Sequence, residues 1–295
     1  MTGPLERVAL PTGVDLDIQV AGRKDAPAVI LLHGWPGGRE TWRDLGPELQ
    51  ERGFRTLAPD QRGYSRRARP RGVRPYVLGE LVDDVLALAD AAGLDRFHVA
   101  GHDWGGAVAW MAALRHPERV AKLVIVNAPH PFVFQRTLIE DRDQRRASQY
   151  IRTFRDTSID QGLTGAGLER FFGSTFAKVL TSAVAGEDKA AYLEEWSQPG
   201  AMTAMLNWYR ASAFIVPETD EEVERPAFLD APFPPVTQPT LVIWGMGDKA
   251  LLPVQLGGLS QHVPDLTIER IEDAGHFVPW EKPDAVIAAM RRWRI

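Results

Sequence analysis

The sequence predicts an α/β fold: a mostly parallel central sheet wrapped by helices, with a helical insertion between two core strands. Three observations carry this. Short β-rich apolar runs alternate with helical patterns through the first 130 residues, the alternation resumes after residue 236, and between the two the strand rhythm disappears.

LERVAL, the turn at 11–13 and VDLDIQVAG (14–22) read as an N-terminal hairpin, the second arm having the period-two alternation of a half-buried strand. AVILLHG (28–34) is an unbroken apolar run, as expected of a strand covered on both faces. FRTLAPD (54–60), FHVAG (97–101), KLVIVNAP (122–129), TLVIWGMGD (240–248) and LTIERIEDAG (266–275) supply further strands. LGELVDDVLALADAAG (78–93) has helical spacing and stops near Gly93, and AVAWMAALRHP (107–117) is a helix stopped by Pro117. The stretch 131–236 is rich in Arg, Glu, Phe and Ala. It shows helical patterns at 144–155, 187–196 and 201–214 and ends in the Pro-rich FLDAPFPPVTQP. The expected organisation is therefore a core from 1–130 and 237–295, interrupted by a helical lid at 131–236 that would enclose a substrate site.

Composition narrows the chemistry. With no cysteine, thiolate catalysis, disulfides and Cys-ligated metals are excluded, and the composition fits a reducing cytoplasm, the expected location. A net charge of -5 gives no reason for the chain as a whole to seek nucleic acid. The N-terminus lacks a signal-peptide pattern and no apolar run approaches a membrane span. Arg62, Arg66, Arg67, Arg69, Arg71 and Arg74 crowd one short stretch, which reads as a solvated loop or as a site for an anionic partner.

The sharpest local feature is Gly101-His102-Asp103-Trp104-Gly105-Gly106, between the strand FHVA and the following helix. It has the form G-x-nucleophile-x-G, in which small residues flank a sharp strand-to-helix turn, although a plain Gly-rich helix start has the same look. His33-Gly34-Trp35-Pro36-Gly37 follows another strand and offers backbone N–H groups to a developing oxyanion. Asp248 and His276 each close a strand run, at the carboxyl edge of the sheet where ligand sites gather. The chain order Asp103, Asp248, His276 is that of nucleophile, acid and histidine.

With these features the chain resembles the α/β-hydrolase superfamily, and the resemblance covers nearly its whole length. An aspartate at the elbow is similar to two branches, epoxide hydrolases and haloalkane dehalogenases. The chemistry explains the residue: serine attacking a saturated carbon would form an ether that water cannot cleave, whereas a carboxylate, ionised with a pKa near ~3.9, forms an ester. His276, oriented by Asp248, would then activate water against that ester. An opening epoxide leaves a basic alkoxide that wants a proton donor, whereas halide wants only N–H donors. Leu206-Asn207-Trp208-Tyr209-Arg210 is similar to the motif around the second lid tyrosine of soluble epoxide hydrolases, and Gln149-Tyr150-Ile151-Arg152-Thr153-Phe154 resembles the helix of the first. The resemblance thus implies Tyr150 and Tyr209 as the acid pair, and Trp35 and Trp104 as donors of the oxyanion-hole N–H groups. The segment from Pro59 to Ser65 also resembles the family, except that the glycine usual after Arg62-Gly63-Tyr64 is replaced by Ser65.

Tyr192 matches no motif and reads as lid packing. His98, His116, His130 and His262 have no metal-ligand spacing, and His33 and His102 read as loop-fixing residues. The expectation is an epoxide hydrolase without cofactor or metal, acting on a small apolar electrophilic epoxide with water as second substrate. No nucleic-acid or membrane partner is expected, and a homodimer is permitted. Alternatives are a haloalkane dehalogenase using the same triad and a catalytically idle member that binds a small apolar ligand.

Overall fold

The computed structural model describes residues 3–176 and 186–295. Among these, eight strands form one sheet: β1 (Leu5–Ala9), β2 (Asp15–Ala21), β3 (Ala28–Leu32), β4 (Arg55–Asp60), β5 (Phe97–His102), β6 (Val120–Val126), β7 (Thr240–Gly245) and β8 (Leu266–Ile271). Their spatial order is β1-β2-β4-β3-β5-β6-β7-β8. The hairpin strands β1 and β2 are antiparallel to their neighbours, and every other pairing is parallel.

The apolar runs become the centre of the sheet because helices cover both faces. Successive side chains of a strand point to opposite sides, so Ile30 and Leu32 of β3 pack with α2 (Leu78–Ala91) and α3 (Trp104–Arg115). Val29 and Leu31 face the other way, toward α1 (Leu45–Glu51) and, beyond the short α10 (Val278–Glu281), toward α11 (Pro283–Arg292). Helix α3 starts at Trp104, three residues before the apolar pattern that marked it.

Between the adjacent parallel strands β6 and β7 the chain makes six helices among the described residues: α4 (Pro131–Glu140), α5 (Arg142–Ala147), α6 (Gln149–Arg155), α7 (Gly165–Phe176), α8 (Gly186–Trp196) and α9 (Ala201–Ala211). The single helix expected over 144–155 is two, broken at Ser148, where the backbone leaves helical geometry. The helix expected to run to 214 stops at Ala211, because Ser212 turns to extended backbone.

The arginine-rich loop divides. Arg66, Arg67, Arg71 and Arg74 are exposed, as a solvated loop requires, but Arg62 is buried and grips both carboxylate oxygens of Asp84 in α2 at 2.7 Å. Arg69 is drawn in as well, pairing with Glu195 of α8. The Arg62 carbonyl accepts the Trp208 indole N–H at 2.9 Å, tying α9 to the core. Ser65 accepts the Asp17 N–H at 2.8 Å and donates to the Asp60 carbonyl at 2.6 Å, so the residue that departs from the family pattern fastens the loop to β2 and β4. No helix of the described residues is long and apolar enough to cross a membrane.

Candidate active site

Asp103 sits between β5 and α3 with φ 51° and ψ -121°, a conformation that side chains with a Cβ rarely adopt and that costs on the order of 1–3 kcal/mol. The neighbouring glycines make it possible. A Cβ on Gly101 would lie 2.3 Å from the Gly105 carbonyl oxygen, and one on Gly105 would lie 2.2 Å from that of Leu32. The G-x-D-x-G-G spacing is thus a demand for close backbone approach, and the sharp turn holds the carboxylate out of the chain.

That carboxylate meets three groups. Its Oδ1 accepts the Trp35 backbone N–H at 2.8 Å, and the Trp104 backbone N–H also donates to it. The other oxygen, Oδ2, lies 3.4 Å from His276 Nε2. Burial by itself would raise the Asp103 pKa, but the hydrogen bond and charge of His276, helped by the Trp104 N–H, hold it below the ordinary carboxylate value. Asp103 is an anion with Oδ1 held by the Trp35 amide.

His276 follows β8, and Asp248 lies in the loop after β7, so the parallel register delivers both to the same sheet edge as Asp103. His276 Nδ1 is 2.7 Å from Asp248 Oδ2. Asp248 Oδ1 accepts the backbone N–H groups of Ala250 and Leu251, each at 2.9 Å. Burial disfavours the imidazolium, yet Asp248 on one side and Asp103 on the other outweigh it and raise the His276 pKa to about 10.

Asn127 was not singled out in the sequence. It follows β6 with φ 41° and donates from Nδ2 to Asp248 Oδ2 at 2.8 Å, while its Oδ1 accepts the Gly245 N–H at 2.8 Å. Its one sequence signal is an asparagine, which tolerates positive φ, at the carboxyl end of a buried strand.

Tyr150 of α6 and Tyr209 of α9 line the same cavity as Asp103 and Trp104, with a largely apolar wall that includes Leu78, Phe134, Phe214 and Leu251. Their rings are 5.9 Å apart, and Tyr209 packs edge-on against Trp35 at 5.6 Å and Trp104 at 5.1 Å. Burial first, and then the Asp103 charge, push both phenols well above the usual tyrosine pKa, although a hydrogen bond with the Trp104 side chain opposes this at Tyr209. Both are neutral donors. Tyr192 does not line this cavity; its ring packs against Trp196 at 5.9 Å and Trp280 at 6.2 Å.

His102, beside Asp103, puts Nε2 2.9 Å from the His276 carbonyl oxygen, and burial lowers its pKa to about 4. His33 Nε2 accepts the Gln61 backbone N–H at 3.1 Å. Among the described residues, no three His, Asp or Glu side chains group as a metal site.

Comparison with known proteins identifies the fold family. A family model described as the alpha/beta hydrolase fold matches residues 27–283. A solved structure of a novel epoxide hydrolase from hot-environment metagenomes shares 43% identity at a TM-score of 0.91, covering 100% of this chain and 99% of its own. The Bacillus megaterium epoxide hydrolase, solved with an inhibitor, shares 28% identity at a TM-score of 0.85, covering 98% of this chain and 99% of its own. The AB hydrolase superfamily protein YfhM of Bacillus subtilis (strain 168) is 34% identical over 93% of this chain and 92% of its own length. With an eight-stranded sheet, an elbow after β5 and a match across most of its length, the chain belongs to the α/β-hydrolase fold family.

Proposed function

We propose that the chain is an epoxide hydrolase that opens a small apolar epoxide to a vicinal diol through an ester on Asp103, beneath a cap formed by residues 131–236. The observation that carries this reading is the sharing of one apolar cavity by the Asp103 carboxylate and the hydroxyl-bearing rings of Tyr150 and Tyr209. A carboxylate faces the electrophilic carbon, and two neutral phenols face the oxygen that must leave it. The epoxide hydrolases among the similar structures support the same choice.

The amide-bound Oδ1 is committed to the Trp35 N–H, so Oδ2 is the attacking oxygen. It displaces the ring oxygen at carbon, and the tyrosines donate to the forming alkoxide. Esterification removes the negative charge that faces His276 Nε2. Two of the contributions that raise the His276 pKa vanish with it, and the proton it holds in the free enzyme becomes available to balance the one taken by the alkoxide. Neutral His276 then accepts a proton from water, whose oxygen adds to the ester carbonyl. The oxyanion is held by the Trp35 and Trp104 N–H groups. Collapse breaks the Cγ–Oδ2 bond and releases the diol. Hydrolysis of an ester to a carboxylate liberates one proton, which returns to His276, so the cycle closes with every group in its starting state.

Halide release needs free N–H donors in place of acids, and here the Trp104 side chain already shares a hydrogen bond with Tyr209. Incubation with styrene oxide and, separately, with 1-bromobutane tests the proposal. Diol from the first and no bromide from the second is the expected result; bromide without diol would assign dehalogenation instead, and neither product would assign ligand binding without turnover.

A further inference from the structure

The Tyr64 side chain is 5% exposed, yet its hydroxyl has no hydrogen-bond partner among the described residues. A buried hydroxyl left unpaired is costly, so one kept beside a reaction centre points to a polar molecule that arrives there. The ring of Tyr64 meets that of His33 edge-on at 4.4 Å. His33 leads into Gly34, where a Cβ would lie 2.4 Å from that of Asp103, and then into Trp35, whose N–H holds Asp103 Oδ1. Tyr64 therefore packs against the loop that carries the oxyanion donor, and burial first, then the Asp103 charge, raise its pKa.

Tyr64 also lines a second cavity, of about 640 Å³, between the N-terminal hairpin and α8. The character of that space differs from the cavity that holds Asp103, since Arg39, Asp60, Ser65 and Glu195 contribute to its wall. The two halves of the reaction ask for this difference. Once Asp103 is esterified, the organic group fills the apolar cavity, and the water needed next has to come from elsewhere.

We propose that Tyr64 is a positioning residue for the second half of the reaction: its hydroxyl holds the water that hydrolyses the Asp103 ester, drawn from the second cavity beside it, whose wall includes charged side chains. This rests on the covalent reading above. The held water gives one proton to His276 Nε2 while its oxygen bonds to the Asp103 carbonyl carbon. When the Cγ–Oδ2 bond breaks, the departing diol oxygen takes one of the water's two protons and His276 keeps the other.

The test is Tyr64→Phe in single-turnover experiments with excess enzyme and styrene oxide, quenched at intervals and read by intact-protein mass. The ester should accumulate, with its hydrolysis slowed about 10-fold or more, as loss of one hydrogen bond to the reacting water implies. The rate of ester formation and the melting temperature should stay near wild type, because Phe preserves the packing against His33. Equal slowing of both steps would mark Tyr64 as merely structural and overturn the proposal. His276→Gln is run alongside. If it forms an adduct while Tyr64→Phe clears its ester at the wild-type rate, the role of Tyr64 alone falls; if it forms none, the covalent reading falls and the proposal with it.

Discussion

Asn127 and His276 share one acceptor: the Asn127 amide N–H reaches Asp248 Oδ2 at 2.8 Å, and His276 Nδ1 reaches the same oxygen at 2.7 Å. Asp248 is therefore oriented from β6 as well as from its own loop. Asn127→Ala should leave Asp248 free to rotate and slow diol formation by about 10- to 100-fold, the value of one hydrogen bond to a charged group. Steady-state kinetics checks this, with the loss expected in kcat and little change in KM.

The tyrosines divide a different task. Tyr150→Phe and Tyr209→Phe should each slow ring opening, and the double variant should nearly abolish it, because general-acid assistance is worth about 10²- to 10⁴-fold. Tyr192→Phe should do little to ring opening, since its ring lies against Trp196 and Trp280 and does not line the cavity that holds Tyr150 and Tyr209. Pre-steady-state ester formation is the measurement, and wild-type turnover by the double variant would refute the acid assignment.

The origin of the diol oxygen follows from which bond breaks. One turnover in ¹⁸O-water with enzyme in excess should give unlabelled diol and a labelled peptide containing Asp103. Labelled diol with an unlabelled peptide would make Asp103 a general base and end the covalent proposal.

His276 ties stability to pH with a definite sign. Its pKa rises on folding from the ordinary 6.5 to about 10, so its contribution is complete below pH 6.5 and is lost as pH climbs through about 10. The melting temperature of the wild type should fall across that window, and that of His276→Gln should fall less. In Asp103→Asn, which removes the facing charge as the proposed ester would, NMR should find the imidazole titrating lower than in the wild type.

The Arg62 and Asp84 pair predicts a stability effect away from the site. Both side chains are buried and joined at 2.7 Å through two hydrogen bonds. Asp84→Asn leaves an uncompensated buried guanidinium and should cost about 3–5 kcal/mol in urea unfolding.

The strands were legible because runs such as AVILL have to be apolar throughout when both faces are covered, and glycine spacing marked the elbow because backbone atoms approach too closely there for any side chain. Other elements left weaker traces. Helix α1, LGPELQE, carries a glycine and a proline in its first turn, and α7, GAGLERFFGSTF, holds three glycines, so neither reads as helical by propensity. Asn127 acts through one side chain at a strand end, with no periodicity to betray it. The burial of Arg62 was hidden for the same reason: its partner, Asp84, is 22 residues away on a helix whose pattern shows it only as one more polar position.

The indole bond from Trp208 to the Arg62 carbonyl has a consequence for anyone who would exchange modules in this protein. The chain leaves and rejoins the sheet between neighbouring strands, which invites transplanting residues 131–236 as a cassette to alter selectivity. Yet the receiving scaffold meets that cassette through a main-chain oxygen, which accepts from any suitably placed donor, and through Arg69, which asks for a carboxylate where Glu195 stands. A foreign cassette that keeps those two anchors should seat at the native height above Asp103, whereas one chosen for its cavity-lining residues alone should seat askew, with correct tyrosines aimed at the wrong point in space.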